Sequence, residues 1–319
     1  MSDLAGRFGG HTLVLHPMGR LRALLPIRYL LSSVGTVVVV VARRPAVVVV
    51  TNPPIAAALV TFVAGKLVGS RLVLDSHPGG FGLQDDPLGR WVQPLHRWLV
   101  RRVAAVLVTT RELSDLVDSW GGNGIVFHEA PPPSVARRPA EEGPSARPTV
   151  VFAGIFARDE PVEEATRAAS LEPRVEMQVT GDVGRAPRQL VRHPPPNVRL
   201  VGFLPQERYV RLLAGADVAL VLSTEELSVP RAALEASHLE VPLVVTDGPA
   251  SRRYFPYAER VRNEAEEIAA AIRRWLAMHP EERASRVRRA RLDAEERWRQ
   301  QRGALAPLLT PSPGGRTRV

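Results

Sequence analysis

Short apolar runs, rich in valine, leucine and isoleucine, alternate with longer helix-like stretches along nearly the whole chain. That alternation is the pattern of parallel strands covered on both faces by helices, so the predicted class is α/β. In the first half, strands are predicted at 11–16, 46–50, 71–74, 105–108 and 125–128, with helices at 20–43, 55–68, 88–103 and 110–120. The pattern then stops. Residues 129–148 contain six prolines and several charges but almost no large apolar side chain, which reads as a linker. The alternation resumes with strands at 149–153, 174–180, 198–201, 217–222 and 242–246. Helices are predicted at 161–171, 205–215, 229–240 and from 264 onward, and the Pro-rich stretch 182–197 as an excursion between elements.

A length of 319 residues favours two domains over one enlarged core. The expected division is a Rossmann-like domain over 1–130, a linker over 131–148, a second Rossmann-like domain over 149–292, a helix over 293–309 that crosses back to the first, and a disordered tail over 310–319. One segment needs a membrane check. Residues 24–42 approach the length of a bilayer span, but they include Pro26, Arg28, Ser32, Ser33, Gly35 and Thr36. A buried or surface-associated helix is therefore expected in preference to a span.

Composition narrows the chemistry. With 45% hydrophobic and 24% charged residues the chain is neither a disordered tract nor a multi-span membrane protein. The absence of cysteine excludes disulfides, thiolate metal sites and a thiol nucleophile. A net charge of +9 raises nucleic acid as a partner. Against that, Lys66 is the sole lysine, the arginines are scattered, and the densest group, between Arg283 and Arg302, is interleaved with Glu281, Glu282, Asp293, Glu295 and Glu296. No nucleic-acid partner is predicted. Asp3 stands where a signal peptide would carry basic residues, so a cytoplasmic location is expected.

Open parallel sheets bind ligands beyond the carboxyl ends of their strands, which gives weight to polar residues just after strands. Four such places occur: Thr51 to Pro54, Asp75 to Phe81, Gly154 to Asp159, and Ser223 to Arg231. The last precedes a helix, with Ser228 as its expected N-cap and Pro230 in its first turn, so free backbone N–H groups should face an anion. Arg231 could add a planar contact to phosphate, and Glu226 and Glu235 could accept from sugar or ribose hydroxyls. The i, i+4 spacing of Arg231 and Glu235 equally describes a plain helix ion pair. Asp75 and His77 likewise allow a turn cap and a carbonyl bond as well as ligand contacts. Trp91, Trp98 and Trp120 suit core packing or a membrane-facing edge better than sugar stacking. His96 and His128 have no carboxylate at metal-ligand spacing, so no metal is assigned.

The order of motifs resembles the retaining glycosyltransferases of the GT-B fold, family 4 type. The matching pieces are RPAVVVVTNPP, GSRLVLDSHPGGF, LVTTRELSDLVDSWGG, VFAGIF, NVRLVGFLPQERYVRLLAGADVALVLST and PRAALEASHLEVPLVVTDGPASRRYF. The resemblance implies two Rossmann-like αβα domains facing across a cleft, with an acceptor held by the first and a nucleotide-sugar donor by the second. No separate cofactor is implied. Residue by residue, Glu235 matches the ribose-binding second glutamate of the family's pair. Glu226 is the nearest match to the first, with one more intervening residue than usual. Asp75 and His77 fall at the acceptor and donor-sugar contacts. Gly154 opens the loop where the family commonly places an Arg and a Lys on the pyrophosphate, but Ile155 and Glu160 stand there instead. Arg158 and Arg231 are the expected replacements, because both follow strand ends and a guanidinium can hold phosphate in a planar fork.

The implied reaction is metal-independent glycosyl transfer with retention, in polysaccharide or glycoconjugate synthesis. The apolar early helix and the Arg-rich last one favour a lipid-linked acceptor and peripheral contact with the inner face of a membrane. The alternative is a GT-B-like binding or scaffold protein without catalysis, which the missing Arg and Lys support. An epimerase on the same fold ranks lower for want of a carboxylate pair. A dinucleotide oxidoreductase ranks lower still, because no Gly-x-Gly-x-x-Gly follows an early strand.

Overall fold

The computed structural model describes residue 11 and residues 25–82, 87–132 and 147–309. The expected strand over 11–16, the start of the first helix, most of the linker and the tail therefore lie outside the described residues. The chain divides into two compact units, Met1–Ala130 with Trp298–Val319, and Pro131–Arg297.

In the first unit the described elements are α1 (Leu25–Arg43), β1 (Val47–Asn52), α2 (Ile55–Val68), β2 (Arg71–Ser76), α3 (Pro87–Val100), β3 (Ala105–Val108), α4 (Arg111–Ser119) and β4 (Gly124–Val126). The four strands are parallel in the order β1-β2-β3-β4. Because successive strands are neighbours in one direction, the right-handed crossover rule places α2, α3 and α4 on the same face of the sheet. The opposite face takes the end of the final helix: Leu305, fully buried, packs with Val73 and Leu107. Gln301 Oε1 accepts from the His128 amide at 2.9 Å.

The second unit comprises β5 (Thr149–Phe152), α5 (Val162–Leu171), β6 (Glu176–Thr180), α6 (Arg188–Arg192), β7 (Val198–Gly202), α7 (Gln206–Ala214), β8 (Val218–Val221), α8 (Arg231–His238), β9 (Leu243–Thr246), α9 (Pro249–Tyr254), β10 (Glu259–Val261), α10 (Ala265–Ala277) and α11 (Pro280–Leu309). The last turns of α11 are those that belong to the first unit. The six-stranded sheet runs β10-β9-β8-β5-β6-β7, all parallel. The order reverses beside β5, which creates a topological switch point between β5 and β8. Its core is a continuous cluster around Phe152, Met177, Ile268, Ile272 and Trp275. The indole of Trp275 donates to Leu243 O at 3.0 Å.

Three sequence-based boundaries shift. The excursion 182–197 contains α6, and the chain between 247 and 261 folds into α9 and β10, elements too short for a periodicity to show. The helix expected from 229 begins at Arg231. Pro230, extended at φ −63° and ψ 132°, disfavours helical geometry at the residue before it, so Val229 cannot join the helix.

The arginines of α11 account for part of the basic charge internally. Arg286 bonds Glu259 at 2.9 Å and lies 4.4 Å from the Trp275 ring centroid, and Arg291 bonds Glu240 at 2.7 Å. Arg297 donates to Tyr254 O at 2.7 Å. No described helix is long and apolar enough to cross a membrane.

Candidate active site

At the switch point, the carboxyl ends of β5 and β8 and the start of α8 enclose a cavity of about 330 Å³. Gly154, Ser228, Arg231 and Glu235, four of the residues singled out in the sequence, line it together. Glu226 is exposed and lines a neighbouring cavity of about 300 Å³ that shares Val221, Ser223, Ser228 and Pro230 with the first. Arg158 is exposed and lines neither. Ser228 does not cap α8: the N-cap is Pro230, and no side chain satisfies the helix start. The start of α8 nevertheless lies on the cavity wall through Pro230, Arg231 and Ala232, which directs the positive end of the helix dipole there.

Glu235 is the most constrained of these residues, at 4% exposure. Its Oε1 accepts from Arg231 Nε at 2.8 Å and from Gln206 Nε2 at 3.3 Å. The hydroxyl of Tyr209 stands beside the same carboxylate. Burial, with the Glu235 charge next to it, pushes the Tyr209 hydroxyl far above the ordinary tyrosine range, so it stays a donor. The ion pair allowed by i, i+4 spacing is thus present, but it is not a surface pair. Its carboxylate end is buried and its guanidinium end stands half-exposed in the cavity wall. A buried carboxylate held by Gln206 and Arg231 is rigid, and this network holds Arg231 at the entrance to α8.

Across the cavity the loop after β5 is built around Glu160. Its carboxylate accepts from the Ile155 amide at 3.0 Å and the Ala157 amide at 3.1 Å. Phe156 between them is left-handed, φ 57°, which curls the loop so that both amides reach one acceptor. A Cβ on Gly154 would stand 2.7 Å from Glu160 Oε2 and 2.8 Å from the Phe152 ring, so glycine is required for the close approach. Thr180 Oγ1 accepts from the Gly154 amide at 3.1 Å and anchors the loop to β6. Burial raises the Glu160 carboxyl above the usual carboxylate range, and the two amides only partly oppose this. Beside it, Ser223 Oγ donates to Asp159 Oδ2 at 2.7 Å, tying this loop to the end of β8.

The charged lining of this cavity is therefore Asp159, Glu160 and Glu235 against the single guanidinium of Arg231. The sequence reading missed Gln206, Tyr209 and Phe203. The first two sit on α7 and meet Glu235 only in three dimensions. Phe203 had a legible signal, an aromatic just past a strand end; it lines the cavity and is 76% exposed.

In the first unit, Asp75 and His77 follow β2 with His77 Nε2 and Asp75 Oδ2 3.7 Å apart. Burial raises the Asp75 carboxyl, and the neighbouring His77 opposes that rise. Ser76, between them, bonds His96 Nε2 at 3.1 Å, and burial drives the His96 ring down to about 4, so it is neutral.

Comparison with known proteins agrees with this geometry. Residues 6–131 match a family model described as a glycosyl transferase 4-like domain, and residues 147–278 match one described as glycosyl transferases group 1. No curated protein sequence matches the chain. Among solved structures, Anabaena HepE in complex with UDP and glucose superposes with a TM-score of 0.71 at 15% identity, covering 96% of this chain and 88% of that one. Sucrose-phosphate synthase from Thermosynechococcus elongatus gives 0.68 at 17% identity, over 94% and 81%. A putative UDP-N-acetylglucosamine 2-epimerase from Listeria monocytogenes gives 0.58 at 11%, over 92% and 83%. At these identities the likeness is one of fold.

Proposed function

The chain belongs to the GT-B glycosyltransferases, with a 4-like first half and a group 1 second half, and we propose that it transfers a sugar from a nucleotide-diphosphate donor bound in the second unit. The observation that carries this reading is the switch-point cavity in which a buried carboxylate, Glu235, holds Arg231 at the amino end of α8. A diphosphate against that helix end gains its dipole and a charge-assisted bond from Arg231, while Glu235 can accept from ribose hydroxyls. Phe203 offers a face for the base. Gly154 lets the loop approach the phosphates, and Ser228 adds a hydroxyl on the same wall.

Glycosyl transfer passes through an oxocarbenium-like state in which negative charge grows on the leaving diphosphate. The α8 amino end and Arg231 stabilise that charge without a resident metal. Glu226, Asp75 and His77 are assigned to the donor sugar and the acceptor. In this reading transfer proceeds with retention at the anomeric carbon, with the leaving phosphate assisting removal of the acceptor proton. The acceptor favoured in this reading is lipid-linked, at the inner face of a membrane, and the product feeds polysaccharide or glycoconjugate synthesis.

The test is thermal stabilisation and slow donor hydrolysis with UDP-, GDP- and dTDP-sugars. Stabilisation by one of them, lost in Glu235→Ala, supports the reading. No response to any removes it. Proton NMR of the first-formed product then decides retention. A second reading, a non-catalytic scaffold, draws on Glu160: its carboxylate already occupies loop amides that could otherwise face phosphate. Binding without hydrolysis or transfer would favour it.

A further inference from the structure

The first unit carries a surface unlike the rest of the molecule. Of the large hydrophobic side chains that the described residues leave exposed, most lie on α1, α2 and α3. On α1 they are Tyr29, Leu30, Leu31, Val34, Val38 and Val41, all but Tyr29 spaced along one helical face. On α2 they are Val63 and Leu67, one turn apart. On α3 they are Trp91, Leu95 and Trp98, a further i, i+4, i+7 stripe. Trp91 is 84% exposed and Leu67 72%. The helices are laterally continuous: α1 packs on α2, and α2 packs on α3. Phe62 meets Trp98 edge to face at 5.6 Å.

Charge identifies the occupant. No Asp or Glu occurs between Leu4 and Leu74, a stretch that carries eight basic residues. None of the three helices contains an acidic residue. Lys66 and Arg102 fold over this same aromatic pair, 5.5 Å from the Phe62 centroid and 4.3 Å from that of Trp98. Arg43, Arg90 and Arg97 are exposed nearby in sequence on the same helices. Apolar stripes on helices that themselves carry cations and no carboxylate, with tryptophans at the edge, match the boundary between headgroups and acyl chains of an anionic bilayer.

We propose that the α1–α2–α3 layer docks on an anionic lipid surface, inserting Leu67, Trp91 and the α1 stripe while Lys66 and Arg97 contact headgroups. The proposal extends the reading of a membrane-apposed acceptor and names the surface that would hold the enzyme there. It is tested by co-sedimentation of the full chain with phosphatidylglycerol vesicles and with phosphatidylcholine vesicles. The expected result is binding to the first and much weaker binding to the second. In Lys66→Gln/Arg97→Gln, partitioning should fall about 25-fold, roughly fivefold for each cation removed. In Leu67→Ser/Trp91→Ser it should fall by more than about tenfold. All four side chains are exposed, and circular dichroism checks that each variant remains folded. Absence of vesicle binding, equal binding to both lipids, or variants that bind like the parent would overturn the proposal. So would concentration-dependent self-association without lipid that the same substitutions abolish, since a second copy would then cover the face. Nucleotide-sugar stabilisation is read separately in the same variants and should be unchanged, so failure of lipid binding and failure of the donor reading are distinguishable.

Discussion

The helical layer of the first unit and the cavity of the second carry opposite charge logic within one basic chain. The layer α1–α3 has cations and exposed apolar side chains and no carboxylate. The cavity has three carboxylates, Asp159, Glu160 and Glu235, against Arg231. The net charge of +9 therefore describes neither surface. An anionic ligand would be drawn to the layer by long-range attraction, whereas in the cavity it must be held by oriented groups: a helix end and one guanidinium. Attraction by many loose charges is easily screened by salt, and attraction by a few fixed dipoles is not.

Substitutions in the cavity sharpen this contrast. The largest effect is expected for Glu235→Ala. Removing the acceptor leaves Arg231 and Gln206 without their shared partner, so nucleotide-sugar affinity should fall at least about 100-fold, measured by calorimetry. Thermal or urea unfolding should show a loss of roughly 2–3 kcal/mol. Arg231→Ala should weaken donor binding about 30-fold, the worth of one charge-assisted phosphate contact. Unchanged affinity and turnover in that variant would mean that the phosphates are held elsewhere.

Glu160→Gln is expected to act in the other direction. Removing a carboxylate from the cavity wall should tighten nucleotide-sugar binding about tenfold, the effect of one charge several ångströms from a diphosphate at intermediate dielectric. The pH dependence has a definite sign. Because burial raises the Glu160 carboxyl, it gains its proton at a higher pH than an exposed glutamate and loses its charge early on acidification. Donor affinity of the parent should therefore rise on acidification at a pH above that at which an exposed glutamate takes up its proton, and Glu160→Gln should flatten that rise. A parallel slope in both proteins would assign the titration to another group. The smallest effect, less than about twofold, is expected for Arg158→Ala, since that side chain lines neither cavity.

Long elements were legible in the sequence. Helices such as Ile55–Val68 and strands such as Ala105–Val108 show a full period or a continuous apolar run, and they appear at the expected places. The short elements within 182–197 and 247–261 were not. The strand Glu259–Val261 is three residues long and holds its place by pairing with β9, a contact that no local pattern encodes. The same division runs through the site. Gly154, Ser228 and Arg231 could be picked out because each follows a strand or opens a helix, and Glu235 because it lies further along that helix at the position of the resembled family's second glutamate. Ser228 was misjudged as a cap because the restriction that Pro230 imposes on Val229 was given too little weight.

By itself the sequence determined the α/β class, two successive sets of alternating elements and a short register of strand-end residues, because periodicity and turn chemistry are local properties of the chain. Only the tertiary structure decided that Glu160 turns its carboxylate onto amides of its own loop, that Tyr209 and Gln206 reach Glu235 from another helix, and that three acid-free helices present their apolar stripes side by side. Those facts depend on distances between residues far apart in the chain, and such distances are set by sheet order and packing, which no single stretch of sequence contains.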